Sequence, residues 1–467
     1  MELIRSYIIA SFLIISCQLV FGQASYVHVD SIILKGHKRT KEKIILRELN
    51  FKVGDSILLQ DLQTRFIQSK SNLLNTSLFY TVDFNVKNWG EDNHLDIELT
   101  MREAWFFYPA PIFDLADRNF NVWWKTYNGD LSRVNYGLNL QYLNLTGNND
   151  PIELTLQFGF TPKYQLEYLL PYFDNKKNWR SRIKVRYSSN KDINYRILNN
   201  RENFTGRQDE VIFRRFETSF GVNYRPNFNV FHNFNVIYHI NSIQDTVADL
   251  NPNFFLNGAK RQAYFEFNYE FQYRDLDLAL YPLSGFEFLF QLDKDGLGLL
   301  DDIDSFEGSI TFSKYTKLGS KFSLGNILKG SYSINRKQQP FNNYRALGSG
   351  DNFLRGYELY VIDGLDFVFL KSALKFEIYK KSINISKFMP IEHFKYLPLR
   401  IYLSSHYDVG YVNDPYLDAE NSFRNRMIYG YGLGMDFVLY NTFALGIEFS
   451  VNHTGEKGLF LSNNVSF

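Results

Sequence analysis

Phe265-Glu266-Phe267-Asn268-Tyr269-Glu270-Phe271 alternates aromatic and polar residues at every step. Successive side chains of a β-strand point to opposite faces, so this heptad has one aromatic face and one of Asn and Glu. The pattern recurs on both sides of it. Tyr136-Gly137-Leu138-Asn139-Leu140-Gln141-Tyr142 and Ile152-Glu153-Leu154-Thr155-Leu156-Gln157-Phe158 repeat it, and helical spacing is largely absent from about residue 104 onward. A soluble sandwich turns its apolar face inward and a membrane barrel turns it outward. Alternation alone does not choose between them. The length of the strand-rich region, without a second hydrophobic face, favours a transmembrane β-barrel.

Composition agrees with this class. The 467 residues carry 51 Lys+Arg against 50 Asp+Glu, a net charge of +1, which argues against a nucleic-acid binder. Aromatic residues make up 17%, with 44 Phe and 32 Tyr. Such rings suit strands and membrane interfaces. Beyond the first 22 residues no apolar run approaches the ~20 residues that a spanning helix needs.

Sixteen strands are expected, starting near 118, 132, 149, 163, 179, 208, 229, 260, 285, 305, 321, 367, 397, 426, 442 and 458. The first is placed at Asn119–Tyr127 and the last at Gly458–Phe467. The odd connections include the long polar stretches 191–207, 243–259, 294–304, 335–366 and 413–425. The even ones are mostly short, with 381–396 the exception. Long loops on one side and short turns on the other, with an even strand count, fit a barrel whose two ends lie in one compartment.

The N-terminus reads as a secretory signal over residues 1–22. Arg5 precedes an apolar run to Phe21, and Val20-Phe21-Gly22 offers a cleavage site before Gln23. Ile14-Ile15-Ser16-Cys17 also resembles a lipoprotein cleavage box, so lipidation of Cys17 stays open. Cys17 is the only cysteine, and cleavage after Gly22 leaves none for disulfides, metal sites or nucleophiles.

Residues 25–102 differ from the remainder. An extended run, Tyr26–Lys35, is followed by helical patterns at Thr40–Leu49 and Leu58–Asn75. Leu62, Phe66, Ile67, Leu73 and Leu74 recur in the second at helical spacing. Two strands, Tyr80–Lys87 and His94–Arg102, close a small α+β unit of order βααββ.

This unit resembles a POTRA domain, through Ile32 to Gly36 with Thr40, Val53-Gly54-Asp55, and Leu78-Phe79-Tyr80-Thr81-Val82. Residues 104–467 resemble the barrel of the BamA/TamA outer-membrane assembly family. The markers, in order, are Gln165-Leu166-Glu167-Tyr168 with Pro171-Tyr172-Phe173, and Arg274-Asp275 with Tyr281-Pro282-Leu283-Ser284-Gly285. Gly348-Ser349-Gly350 then leads into Leu354-Arg355-Gly356-Tyr357, and Tyr407-Asp408-Val409-Gly410 completes the set. The resemblance implies that Arg355 reaches inside the barrel to Asp408, with Gly356 turning the chain and Tyr357 packing on the wall. His406 stands where the family usually has an aromatic. The terminal Phe467 resembles the signal by which barrel strands are recognised for insertion.

No catalytic, cofactor or metal motif appears: there is no Walker-type loop, His-Glu-x-x-His or Gly-x-Ser-x-Gly. The resemblance implies a non-enzymatic outer-membrane protein with its N-terminal domain in the periplasm. Its partners would be unfolded outer-membrane or secreted polypeptides, outer-membrane lipid and periplasmic accessory proteins, without nucleic acid. Clients would meet the edge of the strand carrying Tyr80, Val82 and Phe84, and a weak seam between the first and last barrel strands would open sideways. Two alternatives remain, a two-partner-type secretion pore and a passive porin.

Overall fold

The computed structural model describes residues 25–90, 92–174, 176–278, 280–387, 395–416, 420–440 and 443–462. The expected signal and the terminal Phe467 lie outside these residues. The chain divides into two compact units, Met1–Phe107 with Tyr142–Asp150, and Tyr108–Gln141 with Pro151–Phe467.

The first unit is built from β1 (Tyr26–Lys35), α1 (Glu42–Arg47), β2 (Ser56–Leu58), α2 (Leu59–Asn75), β3 (Phe79–Lys87) and β4 (His94–Glu103). Its sheet runs β2-β1-β4-β3. β1 and β4 are parallel, whereas β3 is antiparallel to β4. The three-residue β2, just after Val53-Gly54-Asp55, is an element the expected βααββ order lacks. α2 buries Leu62, Phe66, Ser69 and Leu73, one stripe at helical spacing. Ile67 falls off that stripe and is exposed. Phe66 stacks on Phe84 at 4.8 Å and meets Phe51 at 5.8 Å, which fixes the helix over the sheet.

Residues 142–150 join this unit by specific bonds. Lys41 N–H donates to the Gly147 carbonyl at 2.9 Å, and the Asn144 amide donates to Thr40 Oγ1 at 3.0 Å. The Glu103 carboxylate accepts from the backbone N–H of Thr40 at 2.7 Å and of Arg39 at 3.1 Å. Burial works against its charge, but these donors together hold its pKa below the ordinary value.

The second unit is one antiparallel sheet of sixteen strands. They are β5 (Phe107–Leu115), β6 (Val134–Tyr142), β7 (Ile152–Gly159), β8 (Lys163–Leu169) and β9 (Trp179–Asn190). A small hairpin of β10 (Asn194–Leu198) and β11 (Arg201–Phe204) stands apart from the wall. The wall continues with β12 (Phe213–Tyr224), β13 (Val230–Ile243), β14 (Arg261–Leu276), β15 (Gly285–Asp295), β16 (Ser305–Lys317) and β17 (Phe322–Ser333). It ends with β18 (Asp366–Asn384), β19 (Tyr396–Asn413), β20 (Met427–Leu439), β21 (Phe443–Asn452) and β22 (Lys457–Ser462). Every wall strand pairs with its neighbour in the chain, as in a transmembrane barrel.

Alternation sets the two faces. On β20, Ile428, Gly430, Asp436 and Val438 are buried, while Tyr429, Tyr431 and Leu433 between them are exposed. The exposed row is apolar and aromatic and the buried row mixed, the inverse of a soluble sandwich.

One strand lies elsewhere than expected. Asn119–Tyr127 is not the first strand, for α3 (Phe120–Thr126) occupies it. The Asn119 side chain caps this helix by accepting from Val122 N–H at 2.9 Å. The first strand is β5, which carries Pro109 and Pro111. Proline is tolerated where no ladder bond is asked of its nitrogen, and β5 ends the sheet order. Among the described residues no strand pair joins β5 to β22.

Candidate functional site

The connection from β17 to β18, residues 334–365, is the sixth odd-numbered one and turns back on itself. Leu347 bridges Ile362 and Ser349 bridges Asn352. Gly348 adopts φ +93°, and a side chain there would collide with the Tyr360 carbonyl. Gly356 reverses the chain at φ +90°, a conformation L-residues avoid. The turn drives Arg355 into the barrel wall, where it is buried.

Arg355 meets Asp408 on β19. Its Nε donates to Oδ2 at 2.9 Å, its Nη2 to Oδ1 at 2.5 Å, and its backbone N–H to Oδ2 at 3.0 Å. A further Nη2 bond of 3.1 Å reaches the Ser372 carbonyl. Burial opposes the guanidinium's charge, but the facing carboxylate outweighs it and holds the Arg355 pKa above its ordinary value. Such a bidentate pair fixes geometry as well as charge. Lys371 on β18 lies in register with Asp408, so the carboxylate has a second cation beside it.

The wall is shaped to receive the loop tip. At Gly430 a Cβ would lie 2.0 Å from the Arg355 carbonyl oxygen, and at Gly410 one would lie 2.7 Å from Leu354 Cδ1. Leu354 and Tyr357 join Phe367, Phe369, Val412 and Ile428 in one buried cluster. The Tyr357 hydroxyl donates to the Tyr429 carbonyl at 3.0 Å and also contacts His453 Nδ1. His406, the departure from the family pattern, is buried against Ser450 Oγ at 3.0 Å.

The loop is also fastened towards both terminal strands of the sheet. Towards β22, Asn452 donates to the Gly356 carbonyl at 3.3 Å, and the Tyr360 hydroxyl bonds Glu456. Towards β5, Arg118 Nη1 donates to the Gly348 and Tyr360 carbonyls, the latter at 2.9 Å, and Asn119 donates to the Glu358 carbonyl at 2.7 Å. The Glu358 carboxyl accepts from Gly356 N–H at 2.9 Å. Burial pushes its pKa up to about 8, with Glu448 adding to the shift and the Gly356 donor opposing it.

A second element enters from the opposite end. The turn 277–284 between β14 and β15 buries Tyr281, whose hydroxyl donates to Asp436 at 2.7 Å. Lys375 lies 3.1 Å from the same carboxylate and 3.9 Å from the Tyr281 ring centroid. Sequence reasoning marked Tyr281 only within a family motif. No spacing signal links it to Asp436, 155 residues on.

The strand with Tyr80, Val82 and Phe84 is the one expected to offer clients an edge. β3 is an edge of its sheet, but Val82 and Phe84 point into the core. Tyr80 is partly exposed, and its hydroxyl accepts from Trp105 N–H at 3.1 Å. A ligand at this edge would meet backbone, not those two side chains. Of the last strand, the described Leu459 is exposed while Phe460 is buried.

The model of the POTRA family, described as surface antigen variable number repeat, matches residues 27–103. A protein of Treponema pallidum (strain Nichols), named as an outer membrane protein assembly factor, is 37% identical over 76 residues. That stretch is 16% of this chain and 9% of the relative's length. Among solved structures, BamA from Haemophilus ducreyi lacking POTRA domains 1–3 has a TM-score of 0.55 at 14% identity, covering 94% of this chain and 83% of the other. CdiB from Acinetobacter baumannii follows at 0.52 and 13%, covering 93% and 73%. CdiB from Escherichia coli gives 0.52 and 10%, covering 95% and 90%. Residues 27–103 thus match the POTRA family, and the sixteen-stranded sheet with its arginine–aspartate loop has the fold of these BamA and CdiB structures.

Proposed function

We propose that this protein inserts or translocates polypeptides at the outer membrane, with its POTRA domain in the periplasm. The observation that carries this is the sheet whose terminal strands, β5 and β22, do not pair with each other among the described residues. An unpaired edge accepts an extended segment through backbone hydrogen bonds, and side chains need supply little specificity. The assembly role named for the Treponema relative supports the same reading. No nucleotide or cofactor is invoked: folding of the client and the apolar surface it buries supply the driving force.

The clients are unfolded outer-membrane or secreted polypeptides, first met at the backbone edge of β3. Lipid at the seam and periplasmic accessory proteins complete the setting. Export of one particular protein is the alternative use of the same parts, and a passive porin leaves the POTRA domain and the locked loop without a task. Depletion separates them. Loss of several barrel proteins from the outer membrane supports assembly, and loss of one secreted protein supports export. Changed solute uptake alone overturns both. A disulfide engineered between β5 and β22 is expected to stop insertion until it is reduced, and unaltered insertion refutes the seam.

A further inference from the structure

The open edge of β22 is not bare. β22 pairs with β21 through Ile447↔Leu461, Phe449↔Leu459 and Val451↔Lys457, alternating with Glu448↔Phe460 and Ser450↔Gly458. In an antiparallel ladder every second residue turns both its N–H and its C=O away from the neighbour. Leu461 is such a residue, and both groups are taken by one side chain. Leu461 N–H donates to Asn121 Oδ1 at 3.1 Å, and Asn121 Nδ2 donates to the Leu461 carbonyl at 3.4 Å. A carboxamide has the same donor and acceptor as a peptide group, so Asn121 occupies the place of one residue of a seventeenth strand.

The rest of α3 reinforces this position. Lys125 Nζ stands 4.7 Å from the Phe460 ring centroid, and a Cβ at Gly458 would meet that amine at 2.8 Å. α3 thus lies across the buried face of β22 while Asn121 reaches its edge. The segment before it is tied to the locked loop by Arg118 and Asn119. β5 offers the edge little in return. Pro109 and Pro111 lie two apart, so their nitrogens face one side, and a strand hydrogen-bonded to β6 keeps that side away from β6. Two donors are therefore missing where β5 would face β22.

We propose that α3 is a latch on the seam, and that Asn121 holds the β22 edge in a closed form which an incoming β-strand must displace. The proposal rests on the seam as the client site and adds the element that regulates it. The same parity turns Leu459 and Lys457 to the open edge, so a strand entering there gains these sites before it competes for Leu461. The latch therefore selects for segments long enough to pair along the whole edge.

The test uses the full-length protein in lipid nanodiscs, comparing wild type with Asn121→Ala and Asn121→Asp. Amide exchange followed by mass spectrometry is read over residues 457–462 and, as a control, over β18 and β19. In parallel, a photocrosslinker at Leu459 reports capture of a synthetic ten-residue strand of alternating Phe and Thr. Asn121→Ala is expected to raise exchange over 457–462 by about tenfold, the loss of two hydrogen bonds, with the control strands unchanged. Asn121→Asp keeps the acceptor but loses the donor, and is expected to fall between. Peptide capture rises in the same order. Unchanged exchange in both variants overturns the latch. Raised exchange with no peptide captured by any form leaves the latch standing and overturns the seam as the client site. If Asn121→Ala does not fold, the intermediate rise in Asn121→Asp decides.

Discussion

Removing Asp408 should release the locked loop more than removing Arg355, although the two residues form one ion pair. Arg355→Ala deletes the guanidinium but leaves the backbone N–H at position 355 as a donor to Asp408, and Lys371 stays in register beside the carboxylate. Asp408→Ala deletes every one of those bonds at once and leaves two buried cations facing each other. Breaking a buried pair costs about 3–5 kcal/mol because an uncompensated charge remains. The arginine variant belongs near the lower figure and the aspartate variant near the upper. At about 1.4 kcal/mol per decade, these raise loop opening by roughly 150-fold and roughly 4000-fold. The assay is maleimide labelling of a Leu354→Cys reporter, a position now buried, in a Cys17→Ser background that leaves it the only cysteine. Folding of each variant is checked separately by heat-modifiable migration in gels. The double variant should fall short of the summed cost by about 2 kcal/mol or more. Additive losses, or a larger effect from the arginine, would refute the placement of Asp408 between two cations.

Three further outcomes follow from the geometry. Gly430→Ala places a methyl 2.0 Å from the Arg355 carbonyl and should unseat the loop with no change of charge, raising labelling at Leu354→Cys as Arg355→Ala does; wild-type labelling would contradict the close approach. Burial pushes the docked Glu358 carboxyl up to about 8 from an ordinary 4.5, so docking is strongest below pH 4.5 and weakens as pH rises towards 8. Glu358→Gln should flatten the dependence of reporter labelling on pH. In the POTRA domain, Phe84→Ala removes the ring stacked on Phe66 and should cost about 3 kcal/mol in urea unfolding, against less than about 1 for Tyr80→Ala; equal costs would contradict the burial of β3's inner face.

Period-two alternation locates a wall strand wherever one face meets lipid, and the last fifteen barrel strands stand close to the positions read from it. It fails at β5 because an edge strand need not alternate and tolerates the prolines that disqualify a central one. It fails at Asn119–Tyr127 for the converse reason: alternate polar residues there serve as a cap and as an edge partner, not as one face of a sheet. The Arg355–Asp408 contact was legible through a motif on each side. Asn121 to Leu461 and Tyr281 to Asp436 were not, because they depend on which strands the closing register brings together across 340 and 155 residues. Local sequence carries no trace of such a meeting. Tyr80, Val82 and Phe84 mark β3 as an edge strand without saying which of its groups a partner would meet. An alternating edge strand buries its apolar face, and what it offers a partner is backbone.

The locked loop answers a charge deficit in the wall itself. The buried face of β18–β21 carries Lys371 and Lys375 against Asp408, Asp436 and Glu448, two cations to three carboxylates. An unmatched charge away from water is costly. Arg355 supplies the missing cation, so the wall selects a loop that delivers one positive charge at one place. Glu358 comes in on the same tip and would restore the deficit if it ionised. Its carboxyl, pushed up to about 8, keeps its proton at neutral pH and so leaves the Arg355 charge uncancelled. The bonds from Arg118, Asn119, Asn452 and Tyr360 then carry that docked state towards both terminal strands of the sheet. The hold on that loop lies in the buried wall at Asp408, away from the two terminal strands that its outer bonds reach.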